Sequence, residues 1–168
     1  VYKYSKYRNS ISNDIISVIG GVDSQHILAG TEGSGIDYMN TQIGTFKNFS
    51  NQPNNPTSIN SNNVKAIFKD QKGLLWIGLY EGGLEQFDLA SGTFKHFKPN
   101  PKDSTSISHG YVSSIAQDQQ GRLWIGTSSK GINLYHYDKQ NFTKVNTKSE
   151  GLKISSDYIR VMLGDTKG

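Results

Sequence analysis

The 168-residue chain contains no cysteine. Disulfides, thiolate catalysis and cysteine-ligated zinc are therefore excluded, while an oxidising compartment stays as compatible as a reducing one. Long apolar runs are missing too. No stretch approaches the ~18 residues of a membrane span, and the opening Val1-Tyr2-Lys3-Tyr4 has neither an initiator methionine nor the apolar core of a signal peptide. On that ground the chain is expected to be a piece of a longer polypeptide. Blocks of like charge are also absent: 18 basic and 14 acidic side chains, net +4, are scattered along the chain. That pattern describes a mildly basic, solvated surface and argues against nucleic acid as a partner. No segment carries a helical period.

What is present is a repeat. Asp70-Gln-Lys-Gly-Leu-Leu-Trp-Ile-Gly78 and Asp118-Gln-Gln-Gly-Arg-Leu-Trp-Ile-Gly126 nearly copy each other 48 residues apart. The same offset links Phe46, Phe94 and Phe142; Gly35, Gly83 and Gly131; Gly30, Gly78 and Gly126; and Ser10, Ser58 and Ser106. A looser fourth copy, Lys153-Ile-Ser-Ser-Asp-Tyr158, runs one residue out of step, so that Asp165 and Gly168 match Asp118 and Gly121 at an offset of 47.

Within one repeat the punctuation predicts four short antiparallel strands, at 112–117, 123–127, 132–137 and 142–145. Asp118 and Gly121 make the first turn, and the apolar run Leu123-Trp-Ile-Gly-Thr127 reads as a strand buried on both faces. Four strands per repeat of this length is the arithmetic of a β-propeller blade, and the predicted fold is all-β, with blades near 16–49, 64–97 and 112–145 and partial blades at both ends. Trp76, Trp124, Gly73, Gly78, Gly121 and Gly126 are then expected to be structural, the tryptophans packing between blades and the glycines serving turns or close approaches. The first copy has Val22, Gln25 and Leu28 in place of the turn Asp, the turn Gly and the Trp, so its blade should be intact but differently packed. Stretches carrying Pro53, Pro56, Pro99 and Pro101 read as extended crossings from rim to axis. By this register Val1 falls in the fourth strand of a preceding blade and Val161 in the first strand of a following one. That is about half of a seven-bladed ring.

The signature Asp-x-x-Gly-x-Leu-Trp-Ile-Gly, continued by Gly82-Gly83-Leu84 or Gly131-Ile132, by a Phe-x-x-Phe strand and by Ser-Ile-Ser, resembles the two-component-regulator propeller repeat. The resemblance implies the extracytoplasmic sensor of membrane-spanning hybrid histidine kinases, in which two seven-bladed propellers precede a small β-sandwich domain, a membrane helix and the kinase, and which detects breakdown products of complex glycans. It implies a periplasmic segment that is not itself an enzyme. Its expected partners are an oligosaccharide or other small molecule, the remaining blades of a parent protein, and a second copy through open blade faces.

Motifs for chemistry are thin. His26, His96, His109 and His136 stand neither at metal-ligand spacing nor beside a nucleophile motif, and no phosphate or calcium loop occurs, so neither metal nor cofactor is expected. In a propeller, the loops leading into the first strand share one face with those joining the second and third, and positions that vary between repeats fall there. They are Asn13, Asp14, Asn62, Asn63, His109, Tyr111, Asp157 and Tyr158 on the first set, and Glu32, Tyr80, Glu81, Ser129 and Lys130 on the second. Aromatic faces with polar ends suit sugar rings and uronic acids. The ligand-binding candidates are His109, Tyr111, Tyr80, Glu81, Lys130, Asn62, Asn63, Asp157 and Tyr158. A propeller lyase would need an acid–base pair such as His109 with Asp157 or Glu81, and a protein-binding scaffold is the third reading.

Overall fold

The structure, a computed structural model, describes residues 2–6 and 9–164. Three four-stranded antiparallel sheets follow one another in sequence. The first holds β1 (Ile16–Gly21), β2 (His26–Thr31), β3 (Ile36–Asn40) and β4 (Thr45–Phe49). The second holds β5 (Val64–Lys69), β6 (Leu75–Leu79), β7 (Leu84–Asp88) and β8 (Thr93–Phe97); the third holds β9 (Val112–Gln117), β10 (Leu123–Thr127), β11 (Ile132–His136) and β12 (Asn141–Val145). Each sheet is a propeller blade with its strands in chain order. No helix occurs among the described residues, so none is long and apolar enough to cross a membrane.

The blades stack through glycine. A Cβ on Gly30 would lie 2.5 Å from Val64 Cγ1, one on Gly78 2.6 Å from Val112 Cγ1, and one on Gly126 2.6 Å from Ile159 Cγ2. The second strand of each blade thus lies directly against the first residue of the next blade's inner segment, and only the absence of a side chain permits it. Register shifts at Ile16/Val18 and Val64/Ala66 bulge the inner strands there. The bulge turns Ser17 Oγ onto Gly30 O (3.0 Å) and Val64 O (2.5 Å), and Ser113 Oγ likewise onto Gly126 O (3.2 Å) and Ile159 O (2.5 Å).

The Asp-x-x-Gly-x-Leu-Trp motif has a double use. Asp70 Oδ1 accepts the amides of Lys72 and Leu74 at 2.9 Å each, closing the turn, while Oδ2 accepts Trp76 Nε1 at 2.9 Å. Tyr137 of the third blade then donates its hydroxyl to the same Oδ2 at 2.8 Å. Trp76 is fully buried and meets Tyr135 of the third blade edge-on at 4.9 Å, a burial worth about 4–6 kcal/mol by area. Burial pushes the Tyr135 hydroxyl up to about 12, and burial together with Asp70 raises Tyr137 further. At the first junction all three polar members are exchanged at once: Val22, Leu28 and Leu89 stand where Asp70, Trp76 and Tyr137 stand one repeat on. They join an apolar cluster with Ile77 and Phe87, and Asp23 takes over the turn by accepting Gln25 N at 2.8 Å.

Each crossing segment closes the outer edge of the blade it leads into. Thr57 O accepts Phe94 N and Thr105 O accepts Phe142 N, both at 2.8 Å, so the fourth strand is not left as an open edge. Ser58 and Ser106 tie the crossing through their hydroxyls, and Ile59 and Ile107 behind them are buried.

The expectations at the two ends have different outcomes. Val1, Asp165 and Gly168 lie outside the described residues. Residues 2–6 form no fourth strand: Ser5 N bonds Ser10 Oγ at 2.8 Å, as Gln52 N bonds Ser58 Oγ, which makes this a crossing segment. Val161 is not in a strand either; residues 159–164 lie against the third blade through Ile159 N→Thr127 O at the end of β10 (3.0 Å) and Met162 N→Ser114 Oγ on β9 (2.9 Å), with no further strand beside them to complete a ladder among the described residues.

Gly78→Ala is expected to lower stability by about 1–3 kcal/mol through overpacking against Val112, measured as a fall in urea midpoint at unchanged m-value. Tyr137→Phe is expected to lose about 1–3 kcal/mol by stripping a donor from the buried Asp70 carboxylate. The triple exchange D70V/W76L/Y137L, which writes the first junction into the second, is expected to be milder than the sum of its single changes, and additive losses would contradict that.

Candidate functional site

Loops from successive blades meet on one face through a belt of backbone hydrogen bonds. Glu32 N donates to Ile15 O, Gly33 N and Gly35 N to Asn62 O, and Tyr80 N to Asn63 O. Gly83 N donates to Gly110 O, Ser128 N to Tyr111 O, and Gly131 N to Asp157 O. The belt engages these main-chain groups, so what the face can offer a ligand is side chains.

Several candidates turn out to serve the backbone. His109 Nδ1 accepts Tyr111 N at 3.0 Å; Asn13 Oδ1, Ser61 Oγ and Ser156 Oγ do the same for Ile15, Asn63 and Tyr158. His109 therefore fills an Asx/ST-turn position with an imidazole nitrogen. Asn62 Oδ1 accepts Asn51 N at 2.7 Å, and Asp157 accepts Thr147 N at 2.8 Å and Thr147 Oγ1 at 3.2 Å. These side chains perform one closing role on the crossing into the second blade and on the segment after the third, which the differing residue types disguise; the crossing between them has Gly110 at that position.

The side chains left outward gather at the junction of the second and third blades. Tyr80, 40% exposed, meets Tyr111 edge-on with ring centroids 4.9 Å apart. Glu81 has φ 60, a left-handed conformation unusual for this residue type, where the first repeat has Gly33 at φ 100. Its Cα lies against Gly110, 3.7 Å from where a Cβ would stand, which brings Glu81 beside the His109–Tyr111 turn. Lys130 follows on the next loop, where its amide caps Thr127 Oγ1 at 3.2 Å. Asn63 lies on the belt, bridged to Glu32, with Lys65 Nζ beside the Glu32 carboxylate at 2.6 Å. Tyr158 is exposed and carries the Arg160 guanidinium over its ring at 5.7 Å. The structure thus brings Tyr80, Glu81, His109 and Tyr111 together and sets Tyr158 apart, on a later loop. No group of three or more metal-ligating side chains occurs among the described residues.

Two clefts lie at the opposite, turn-bearing end of the junctions. One of about 470 Å³ is bordered by Val22, Lys69, Leu74 and Leu89, and one of about 840 Å³ by Lys72, Gln117, Arg122 and Tyr137. None of the nine ligand candidates lines either.

A family model described as two component regulator propeller matches residues 58–81 and 106–129, which span the crossing, the two inner strands and the loop residues Tyr80, Glu81, His109 and Tyr111. Among solved structures, the chain is similar to the extracellular domain of the putative one component system BT4673 from B. thetaiotaomicron, with TM-score 0.73 and 22% identity over 98% of this chain and 21% of that one. It is similarly close to the extracellular domain of the putative hybrid two component system BT4673 of that organism, with TM-score 0.72 and 23% identity over 98% and 21%. U3-55K matches with TM-score 0.62 at 13% identity, over 90% of this chain and 44% of that one. At these identities the likeness establishes the fold, and the chain spans about a fifth of the length of the first two, 21% in each. No curated protein sequence gives a match.

His109→Asn is expected to leave stability within about 0.5 kcal/mol, because the amide oxygen supplies the same acceptor, whereas His109→Ala is expected to lose about 0.5–1.5 kcal/mol. Chemical denaturation of the two variants checks this.

Proposed function

For a chain that carries two-component regulator propeller repeats, we propose a non-catalytic, ligand-sensing segment of an extracytoplasmic sensor that feeds a two-component histidine kinase. The glycan reading rests on the Tyr80–Tyr111 pair: two rings at 68° on an exposed loop face, their hydroxyls without partners among the described residues, flanked by Glu81 and Lys130. A sugar ring stacks on such a face while its hydroxyls or carboxylate find the polar ends. Periplasmic placement and the downstream kinase come from the repeat's family and from the extracellular domains it is similar to.

Further blades are the expected structural partners. Ile19, Ile67 and Ile115 share one repeat position; Ile67 packs against Gly20 of the first blade and Ile115 is 8% exposed, whereas Ile19 is 63% exposed. The uncovered position is the one that a neighbouring blade, or a second copy, would occupy. The lyase reading finds little support, since His109 Nδ1 and the Asp157 carboxylate are both engaged by backbone amides.

Calorimetric titration of the protein with oligosaccharides from several neutral and uronic-acid polysaccharides tests the glycan reading. Binding without turnover is expected, weakened about tenfold or more (~1.4 kcal/mol) by Tyr80→Ala or Tyr111→Ala. Silence across the panel, or binding indifferent to both changes, removes it.

A further inference from the structure

In each blade, one buried polar side chain on the third strand holds the crossing that leads into that blade. Asp37 Oδ2 accepts Ser12 N at 2.9 Å, Glu85 Oε1 accepts Asn60 N at 3.2 Å, and Asn133 Oδ1 accepts Ser108 N at 2.9 Å. The outer blades complete this staple with neutral partners, none of which is titratable. Ser12 Oγ and Asn48 Nδ2 donate to Asp37, and Asn133 Nδ2 donates to Ser108 Oγ. The second blade is built differently.

Glu85 has no exposed surface, and its Oε2 lies 2.5 Å from Nδ1 of His96 on the adjacent strand. The other ring nitrogen, Nε2, lies 2.7 Å from Pro56 O in the crossing. A carbonyl oxygen only accepts, so Nε2 carries a proton. One more proton must lie between Nδ1 and Oε2, either as imidazolium facing carboxylate or as imidazole facing carboxylic acid; without it, two lone pairs face each other in a buried site. Beside this bridge stands an unused donor: Asn60 Nδ2 is buried without a hydrogen-bond partner.

We propose that Glu85, His96 and Asn60 form a proton-controlled latch on the crossing between the first and second blades. With the bridging proton present, His96 ties Glu85 to Pro56 and the crossing is closed. When that proton leaves to solvent, the neutral imidazole keeps a single N–H; held on the carboxylate as Nδ1–H, it turns a lone pair from Nε2 toward Pro56 O, so the Pro56 tie is lost and Asn60 Nδ2 becomes the second side-chain donor to Glu85.

His96 is the titratable group that acts on the site. Residues 50–63 of the crossing and Leu75–Leu79 of β6 carry no titratable side chain. Lys95 on β8 reaches Gln140 instead, Asp88 at the far end of β7 is held by Ser91, and on the third-blade side Asp103 is bonded to Thr105 and His109 to Tyr111. The charge that bears on Glu85 is that of His96. Burial pushes the Glu85 carboxyl up, partly offset by His96 and then by the Asn60 backbone and side-chain amides, which stand close enough to favour the carboxylate. A raised carboxyl favours the native state most below the ordinary carboxylate range, and that contribution is lost as pH rises. The sign agrees with a latch closed in acid and released toward alkali, the coupled pair titrating as a unit.

The test is amide hydrogen exchange on the protein from about pH 5 to pH 8. The protection factors of Asn60 and Phe94, which report the staple and the closed edge, are expected to fall about tenfold or more across that range. Those of Ser12 and Ser108, the equivalent amides of the flanking blades, are expected to hold steady. Glu85→Gln and His96→Asn each remove the exchangeable bridge and are expected to abolish the difference, and His96→Asn serves alone if Glu85→Gln does not fold. Asn60 tracking Ser12 and Ser108 in the unaltered protein, or a fall that persists in His96→Asn, overturns the latch. The outcome is independent of whether any glycan binds.

Discussion

Everything in this architecture depends on how closely the second strand of one blade can approach the inner segment of the next. At Gly30, Gly78 and Gly126 a β-carbon would overlap Val64, Val112 and Ile159, so the missing side chain sets the distance between sheets. That distance brings Ser17 within reach of carbonyls on two blades at once, and Ser113 within reach of its own blade and the segment that follows it. It also brings the loops of neighbouring blades close enough to form the backbone belt, and the belt places Tyr80 of one blade against Tyr111 of the next. The candidate site is therefore a product of blade spacing, not of any single loop.

Away from the glycines the junctions are filled in two chemistries. Between the second and third blades a carboxylate gathers an indole and a phenol, a directional arrangement that accepts one geometry. Between the first and second, the same three positions are Val22, Leu28 and Leu89. Buried polar networks and apolar substitutes of similar volume are often close in free energy, while a half-exchanged network is poor. The concerted replacement of all three residues follows from that asymmetry, and it leaves the two junctions with different selectivity for the blade they accept.

The blades were legible because a 48-residue period exposes itself through Trp, Gly and Phe at fixed offsets, and strand limits differ from the reading by a residue at most. The face was harder to read, for a physical reason. Variation between repeats looks like freedom, yet an amide, two hydroxyls and an imidazole at Asn13, Ser61, Ser156 and His109 share one use, a side-chain acceptor two residues before an amide. Asn62 and Asp157 hide a shared duty in the same way. The pairing of Glu85 with His96 was invisible because neither neighbouring repeat carries a His or Glu at those positions. The regular spacing of Asp37, Glu85 and Asn133 on strands otherwise apolar inward was the available signal.

The crossings make the structural module different from the sheet. A sheet cut from β5 to β8 would leave Phe94 N without Thr57 O and Glu85 without Asn60. A piece that begins near Asn51 and ends after Phe97 keeps the bonds its outer strand requires. The portable unit is therefore staggered against the visible blade, beginning in what looks like the tail of its predecessor. As the chain emerges from the ribosome, the clasp for each outer strand is already made before that strand appears, so every blade closes onto a partner that is waiting.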